Sequence, residues 1–362
     1  MSSTPSLVLA DVRNGVGHLT LNRPDDLNAL TLSMVRQLFR YLGTWEKDPA
    51  IRAVVLRGAG DRAFCAGGDI RQLYESHKAG DNQHELFFEE EYALDEYLHN
   101  YAKPVLALMD GFVLGGGMGL AQAATLRVIS ERTRMGMPEV GIGFFPDVGG
   151  SYFLPRLPGQ LGLYLGVTGT QVRAADALYS ELADYCLSSE RFPELDTALD
   201  QMRWSSAPLE DLNNLLKSLA SQQVVGSELK AYRQAIDHYF NLPDIPAICA
   251  ALQREERPEL LDWAEETVRL LDSRSPLSIA VTLELLQRGR QLPLADCFAQ
   301  ELHLSYQWFD KGDLMEGVRA LIIDKDKNPQ WNPPTLADLE PARIKALFRG
   351  FRPATGEPLR KT

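Results

Sequence analysis

The apolar positions of the first half follow two alternating patterns. Gly17 to Asn22 and Ala53 to Arg57 are short runs that read as strands, and between them Leu32, Val35, Leu38, Leu42 and Trp45 recur at helical spacing. That spacing predicts an amphipathic helix ending near Asp48-Pro49. Val105 to Met109 forms a third strand pattern running into Asp110-Gly111, and Leu126 to Ser130 a fourth, with a short helix opened by glycines between them. Strands alternating with helices in this way predict an α/β domain, whose ligands sit at strand ends. After about Leu187 the strand signals fade. Leu212, Leu215, Leu216 and Leu219, and then Leu260, Leu261, Trp263 and Ala264, predict helices, so we expect an α/β core over 1–187 and a mostly helical region over 188–362. Pro243, Pro246 and Pro276 divide that region, and a polar tail expected to be loosely ordered starts at Asn332 to Pro334.

Charge narrows the range of partners. The chain of 362 residues carries 37 basic and 49 acidic side chains, a net charge of −12, which repels a nucleic-acid backbone. A small polyanion held by a few local cations or helix N-termini is still compatible with that balance. The four cysteines, Cys65, Cys186, Cys249 and Cys297, form no CxxC pair, so buried thiols in a reducing compartment are expected rather than a zinc ribbon or disulfides. The six histidines show neither HxxxH nor HExxH spacing, and no metal site is expected. Met1 to Val8 lacks the basic and apolar regions of a signal peptide, and no run reaches the ~20 apolar residues of a membrane span; we therefore expect a cytoplasmic protein that does not engage membranes.

Three stretches are candidates for chemistry. Gly115-Gly116-Gly117-Met118-Gly119 precedes an apolar helical run, so it is either a place where a ligand approaches uncapped backbone N–H groups or a tight packing turn. Ala66-Gly67-Gly68-Asp69 is a second glycine turn after a strand. If the two converge, each contributes one N–H to a developing oxyanion. Met137 to Gly150 sets Glu139 and Asp147 among glycines, prolines and apolar side chains. Such surroundings raise carboxyl pKa values toward neutrality and suit an acid/base or nucleophile pair, although both residues also fit as turn or cap residues. There is no GxSxG elbow and no P-loop lysine pattern. The run Glu89-Glu90-Glu91 reads, taken alone, as a solvated helix face.

In order along the chain stand Asn22-Arg23-Pro24 with Leu27-Asn28-Ala29-Leu30, then Arg52-Ala53-Val54-Val55-Leu56, then Ala63-Phe64-Cys65-Ala66-Gly67-Gly68-Asp69, then the triple glycine. This set resembles the crotonase, or enoyl-CoA hydratase/isomerase, superfamily. The resemblance implies a spiral of ββα repeats followed by helices. Phe87-Phe88-Glu89-Glu90-Glu91-Tyr92, Met137 to Gly150, and Gly317-Val318-Arg319-Ala320-Leu321-Ile322-Ile323-Asp324-Lys325-Asp326 are similar to the 3-hydroxyisobutyryl-CoA hydrolase branch. That branch implies hydrolysis of a short 3-hydroxyacyl-CoA thioester, such as 3-hydroxyisobutyryl-CoA or 3-hydroxypropionyl-CoA, as in valine catabolism.

Carried over by motif, Gly68 and Gly116 look like the two oxyanion donors, and Glu139 and Asp147 like the catalytic pair. Glu91 resembles the residue contacting the acyl end, which revises its solvated reading, and Ala66, Gly67, Asp69 and Ile70 resemble the stretch lining the adenine pocket. Coenzyme A enters as part of the substrate, and no cofactor is implied. Arg23, Arg62 and Arg71 are phosphate candidates by nearness alone. Gly119 stands where hydratases carry the first of two catalytic glutamates, and Asp147 where they carry a small residue. The alternatives are therefore a hydratase or isomerase using Glu139 alone, and a non-catalytic CoA-binding protein. Relatives often form homo-oligomers, but no motif here encodes the number of copies.

Overall fold

The computed structural model describes residues 6–221 and 224–353. Two strands and a helix recur along the chain. The antiparallel pair β1 (Val8–Arg13) and β2 (Val16–Leu21) leads to α1 (Leu32–Lys47), and β3 (Ala53–Gly58) and β4 (Ala63–Cys65) lead to α2 (Ile70–Ala79) and α3 (Gln83–His99). Next come β5 (Val105–Met109) and β6 (Phe112–Leu114) with α4 (Gly116–Ala123), then β7 (Leu126–Ile129) and β8 (Arg134–Gly136), with β9 (Val172–Arg173) and β10 (Tyr185–Cys186) closing the set. The first pair, β1 and β2, lies wholly in a six-stranded sheet of order β1-β2-β3-β5-β7-β10, and the pairs β3-β4, β5-β6 and β7-β8 each give one strand to that sheet and one to a four-stranded sheet of order β4-β6-β8-β9. β2, β3, β5 and β7 run parallel, as their helical crossovers require. The spiral of ββα repeats is the fold that the motif set implies.

The predicted strands and α1 fall within a residue or two of their observed ends. In α1 the stripe Met34, Val35, Leu38, Leu42 and Trp45 is buried, Thr31 caps the N-terminus by accepting from Met34 N–H, and Asp48 ends the helix. β1 was not anticipated: four of its six residues are exposed, so no alternation marks it. Among the described residues the last strand is β10, and helices follow it.

Packing divides the chain into two compact units that interleave in sequence. One comprises 1–68, 93–135 and 172–227, and the other 69–92, 136–171 and 228–362. In the first, Val16, Ala53, Val55, Leu106, Leu108 and Val128 of the six-stranded sheet pack against Leu195, Leu199, Leu212 and Leu216. In the second, residues 332–343 are tied down rather than loose, since Asn332 N–H donates to Asp313 and Arg343 donates to Asn332 and to Lys311 O, while 354–362 of the expected tail lie outside the described residues. Three polar anchors there outweigh the local composition. Among the described residues no helix is long and apolar enough to cross a membrane.

Candidate active site

In the first unit the structure brings the two glycine turns together. Leu27 and Asn28 adopt left-handed backbone, φ 53° and 57°, and the buried Asn28 side chain accepts from Arg23 N–H and donates to Ala59 O and Ala63 O. This brace fixes the loop so that Leu30 N–H reaches Gly67 O at 2.8 Å and Ala66 N–H reaches Leu27 O at 3.1 Å. Gly67 has φ +101°, and a Cβ built there would lie 3.2 Å from Leu114 O and 3.5 Å from Gly116 N. Only glycine fits such a conformation and approach. Gly115, with φ 51°, caps α4, and the first N–H groups of that helix begin at Gly116, where no intrahelical acceptor exists. Gly68 and Gly116 therefore lie on adjoining turns. Gly119 sits buried on α4 and carries no carboxylate.

Of the stretch read as an adenine lining, Gly67 is buried, and Ala66, Asp69 and Ile70 are half-buried. Asp69 caps α2, accepting from Gln72 N–H at 3.3 Å. The phosphate candidates are partly committed elsewhere: Arg23 donates to Ala29 O and Asp26, and Arg71 to Ile322 O, while Arg62 is exposed.

The second unit holds the carboxylate pair. Glu139 opens a 3-10 turn, Glu139–Ile142, closed by Gly143 in left-handed backbone. Phe144 and Phe145 follow, stacked on each other at 4.3 Å, with Phe88 over Phe144 at 5.6 Å and Trp308 edge-on to Phe145 at 4.9 Å. The Trp308 indole N–H donates to Gly143 O at 2.7 Å, which locks the turn. In this loop Glu139 is 6% exposed and Asp147 5%. Among the described residues no protein group donates to Glu139 Oε2. Burial, and then the nearby charge of Asp147, raise Glu139 well above the usual carboxylate range. Burial also pushes Asp147 up, to about 7, against the opposing effect of a hydrogen bond from Tyr92. Two neighbouring buried carboxyls, both raised above the usual carboxylate range, hold protons that surface acids would release, which suits acid–base work.

The structure adds residues that sequence reasoning missed. Tyr92 Oη donates to Asp147 Oδ2 at 2.6 Å and lies 2.9 Å from Ser305 Oγ, whose hydroxyl reaches Glu301 O at 3.0 Å. The Glu301 carboxylate accepts from Gly149 N–H at 2.8 Å, Ser151 N–H at 2.9 Å and Ser151 Oγ at 2.5 Å. Burial lifts Glu301 to about 8 in spite of those donors. This clamp grips the turn after Asp147, where Val148 (φ 50°) and Gly149 (φ 84°) are both left-handed. Glu91, the residue before Tyr92, is buried at 2% exposure, so it does not belong to a solvated face. Glu89, by contrast, accepts from the exposed Tyr306 hydroxyl.

Residues 16–348 match the enoyl-CoA hydratase/isomerase family. The chain belongs to that family. Curated relatives named mitochondrial 3-hydroxyisobutyryl-CoA hydrolase include one from Danio rerio, 38% identical over 96% of this chain and 90% of its own length. The Homo sapiens relative of the same name is 36% identical over 95% and 89%. Among solved structures, a carnitinyl-CoA dehydratase from Mycobacterium thermoresistibile superposes with TM-score 0.87 at 38% identity, covering 96% of this chain and 98% of that one. An enoyl-CoA hydratase from Rhodobacter sphaeroides gives 0.86 at 35%, covering 95% and 97%. At such coverage this member of the hydratase/isomerase family shares its helical second half with those relatives as well as its ββα spiral.

Proposed function

We propose that this protein hydrolyses the thioester of a short 3-hydroxyacyl-CoA, 3-hydroxyisobutyryl-CoA foremost and 3-hydroxypropionyl-CoA second, releasing the hydroxy acid and coenzyme A. The observation carrying this reading is the buried Glu139–Asp147 pair on a chain whose α4 has Gly119 in place of an acid. The hydrolase names of the full-length relatives support it. In this reading the N–H groups of Gly68 and Gly116 polarise the thioester carbonyl and stabilise the tetrahedral oxyanion. Glu139 activates water or attacks to give a mixed anhydride, and Asp147 exchanges protons with it. With water as nucleophile, the C–O bond forms as one water proton passes to the carboxylate pair. Collapse then breaks the C–S bond, and the departing thiolate recovers a proton from the pair. Glu91 and Ala66 to Ile70 hold the acyl and adenine ends. The product consistent with this chemistry is that of valine breakdown. Four free, buried cysteines suit a reducing compartment such as the cytoplasm, though the named relatives are mitochondrial.

A second reading, hydration of an enoyl-CoA, is favoured by the similarity to the Rhodobacter sphaeroides enoyl-CoA hydratase. One experiment separates them: purified protein is offered 3-hydroxyisobutyryl-CoA and crotonyl-CoA while free thiol and enoyl absorbance are followed. Thiol release from the first, lost at least about a hundredfold in Glu139→Gln, is expected. Loss of enoyl absorbance without thiol release would replace this reading by the hydratase.

A further inference from the structure

Asp147 has to carry a proton in one half of the proposed cycle and lack it in the other, although its side chain is buried and has little solvent to satisfy it. Each state makes opposite demands on a buried neighbour. A carboxylate needs a donor, whereas a carboxylic acid needs an acceptor, and a fixed N–H or C=O partner serves only one of them. The structure supplies hydroxyls instead. Tyr92 Oη lies 2.6 Å from Asp147 Oδ2 and 2.9 Å from Ser305 Oγ, and Ser305 Oγ lies 3.0 Å from the Glu301 carbonyl oxygen. Tyr92 and Ser305 are both buried. The Tyr92–Ser305 bond has no fixed direction, because either oxygen serves as donor.

We infer that Tyr92 and Ser305 form a reversible hydroxyl relay that positions Asp147 and satisfies it in both protonation states. When Asp147 is ionised, Ser305 donates to Tyr92 and Tyr92 donates to Asp147. When Asp147 is protonated, it donates to Tyr92, Tyr92 turns to Ser305, and Ser305 donates to the Glu301 carbonyl, a terminal acceptor that takes up no proton. Only hydroxyl hydrogens reorient, and the one proton that enters or leaves does so at Asp147. Burial and the Asp147 charge raise Tyr92 well above its ordinary range, so its phenol stays protonated and remains a donor throughout. Among the described residues the Asp147 charge raises the proton affinity of Glu139 from its own loop, Tyr92 from α3, and Glu301 from the helix Leu294–Lys311. Tyr92 and Ser305 are thus positioning residues acting through Asp147. The relay's purpose rests on the hydrolase reading, whereas its geometry does not.

Two variants of the full chain perturb opposite ends of the relay and make opposite predictions. Tyr92→Phe removes the donor to the carboxylate, so Asp147 should titrate at higher pH, by about one unit. Ser305→Ala keeps that donor but leaves the Tyr92 hydroxyl without its acceptor when Asp147 is protonated, so Asp147 should titrate at lower pH. The titration is read directly from side-chain carboxyl carbon NMR of aspartate-labelled protein, with the Asp147 signal assigned by its absence in Asp147→Asn. Thiol release from 3-hydroxyisobutyryl-CoA is measured alongside. For Tyr92→Phe we expect about a tenfold fall in kcat with little change in KM, and an acid limb moved in the same direction as the NMR titration. Unshifted titrations, or shifts of the same sign in both variants, overturn the relay; if Tyr92→Phe does not fold, an unchanged or raised Asp147 titration in Ser305→Ala overturns it alone. A wild-type protein that releases no thiol overturns the hydrolase reading instead, and the NMR titration still decides the relay.

Discussion

Glu91 occupies the turn of α3 just before Tyr92, and burying a carboxylate there has a cost that a surface glutamate would not incur. A run of three glutamates conceals this, because composition averages over a helix face while burial differs residue by residue: Glu89 reaches an exposed tyrosine and Glu91 is enclosed. If Glu91 receives the substrate hydroxyl, Glu91→Ala should lower kcat/KM for 3-hydroxyisobutyryl-CoA by about a hundredfold while leaving isobutyryl-CoA within a few-fold. A site built to hydrogen-bond a hydroxyl discriminates on that scale. Equal losses on both thioesters would assign Glu91 to packing rather than selectivity. Tyr92, Ser305 and Glu301 could not be found in this way, since the contacts Tyr92–Asp147, Ser305–Tyr92 and Glu301–Gly149 span 55, 213 and 152 residues, and no local pattern records the meeting.

Elements differ in how far the sequence reveals them. α1 and the strands β2, β3, β5 and β7 were legible because each is at least four residues long and buries three or more of them in a core. β4, β6 and β8 are three residues long, too short for a period to appear, and β1 is mostly exposed. The glycine turns were legible as backbone features, but their convergence required the Asn28 brace. The turn after Asp147 shows the same limit. Val148, a β-branched residue, is held in left-handed backbone, a conformation that costs about 1–3 kcal/mol. The Glu301 clamp from a distant helix, with the Gly150 N–H bond to Asp147 O and the burial of Val148, holds it there. Glu301→Gln presents an amide N–H to one of the N–H groups at Gly149 and Ser151, so it should destabilise the protein by about 2–3 kcal/mol in urea unfolding. Activity should fall with it as Asp147 loses its placement, and an unchanged unfolding midpoint would count against the clamp.

Across the whole molecule, stability follows pH through the sum of all groups whose proton affinity changes on folding. Two sets oppose each other here. Burial drives His18 and His99 down to about 4, so the folded protein binds fewer protons than the unfolded chain, and their contribution, complete above about pH 6.5, is lost as pH falls toward 4. Asp147, raised from an ordinary 3.8 to about 7, acts with the opposite sign. Its contribution is complete below about pH 4 and is lost as pH rises through 7, because a buried carboxyl must then ionise. The wild-type curve between pH 4 and 7 is therefore flatter than either set alone would give. Asp147→Asn removes one member of the set with raised proton affinity, to which Glu139 and Glu301 also belong. Urea unfolding of the variant should show stability rising more steeply with pH than in the wild type, with a gain of a few kcal/mol at pH 8, about 1.4 kcal/mol for each unit of the lost shift. Parallel curves would mean that Asp147 ionises in the folded protein as easily as in water, and the acid pair proposed for catalysis would lose its physical basis. A stabilised, inactive Asp147→Asn would instead show that the fold gives up stability at this position to keep a carboxyl poised near neutral pH.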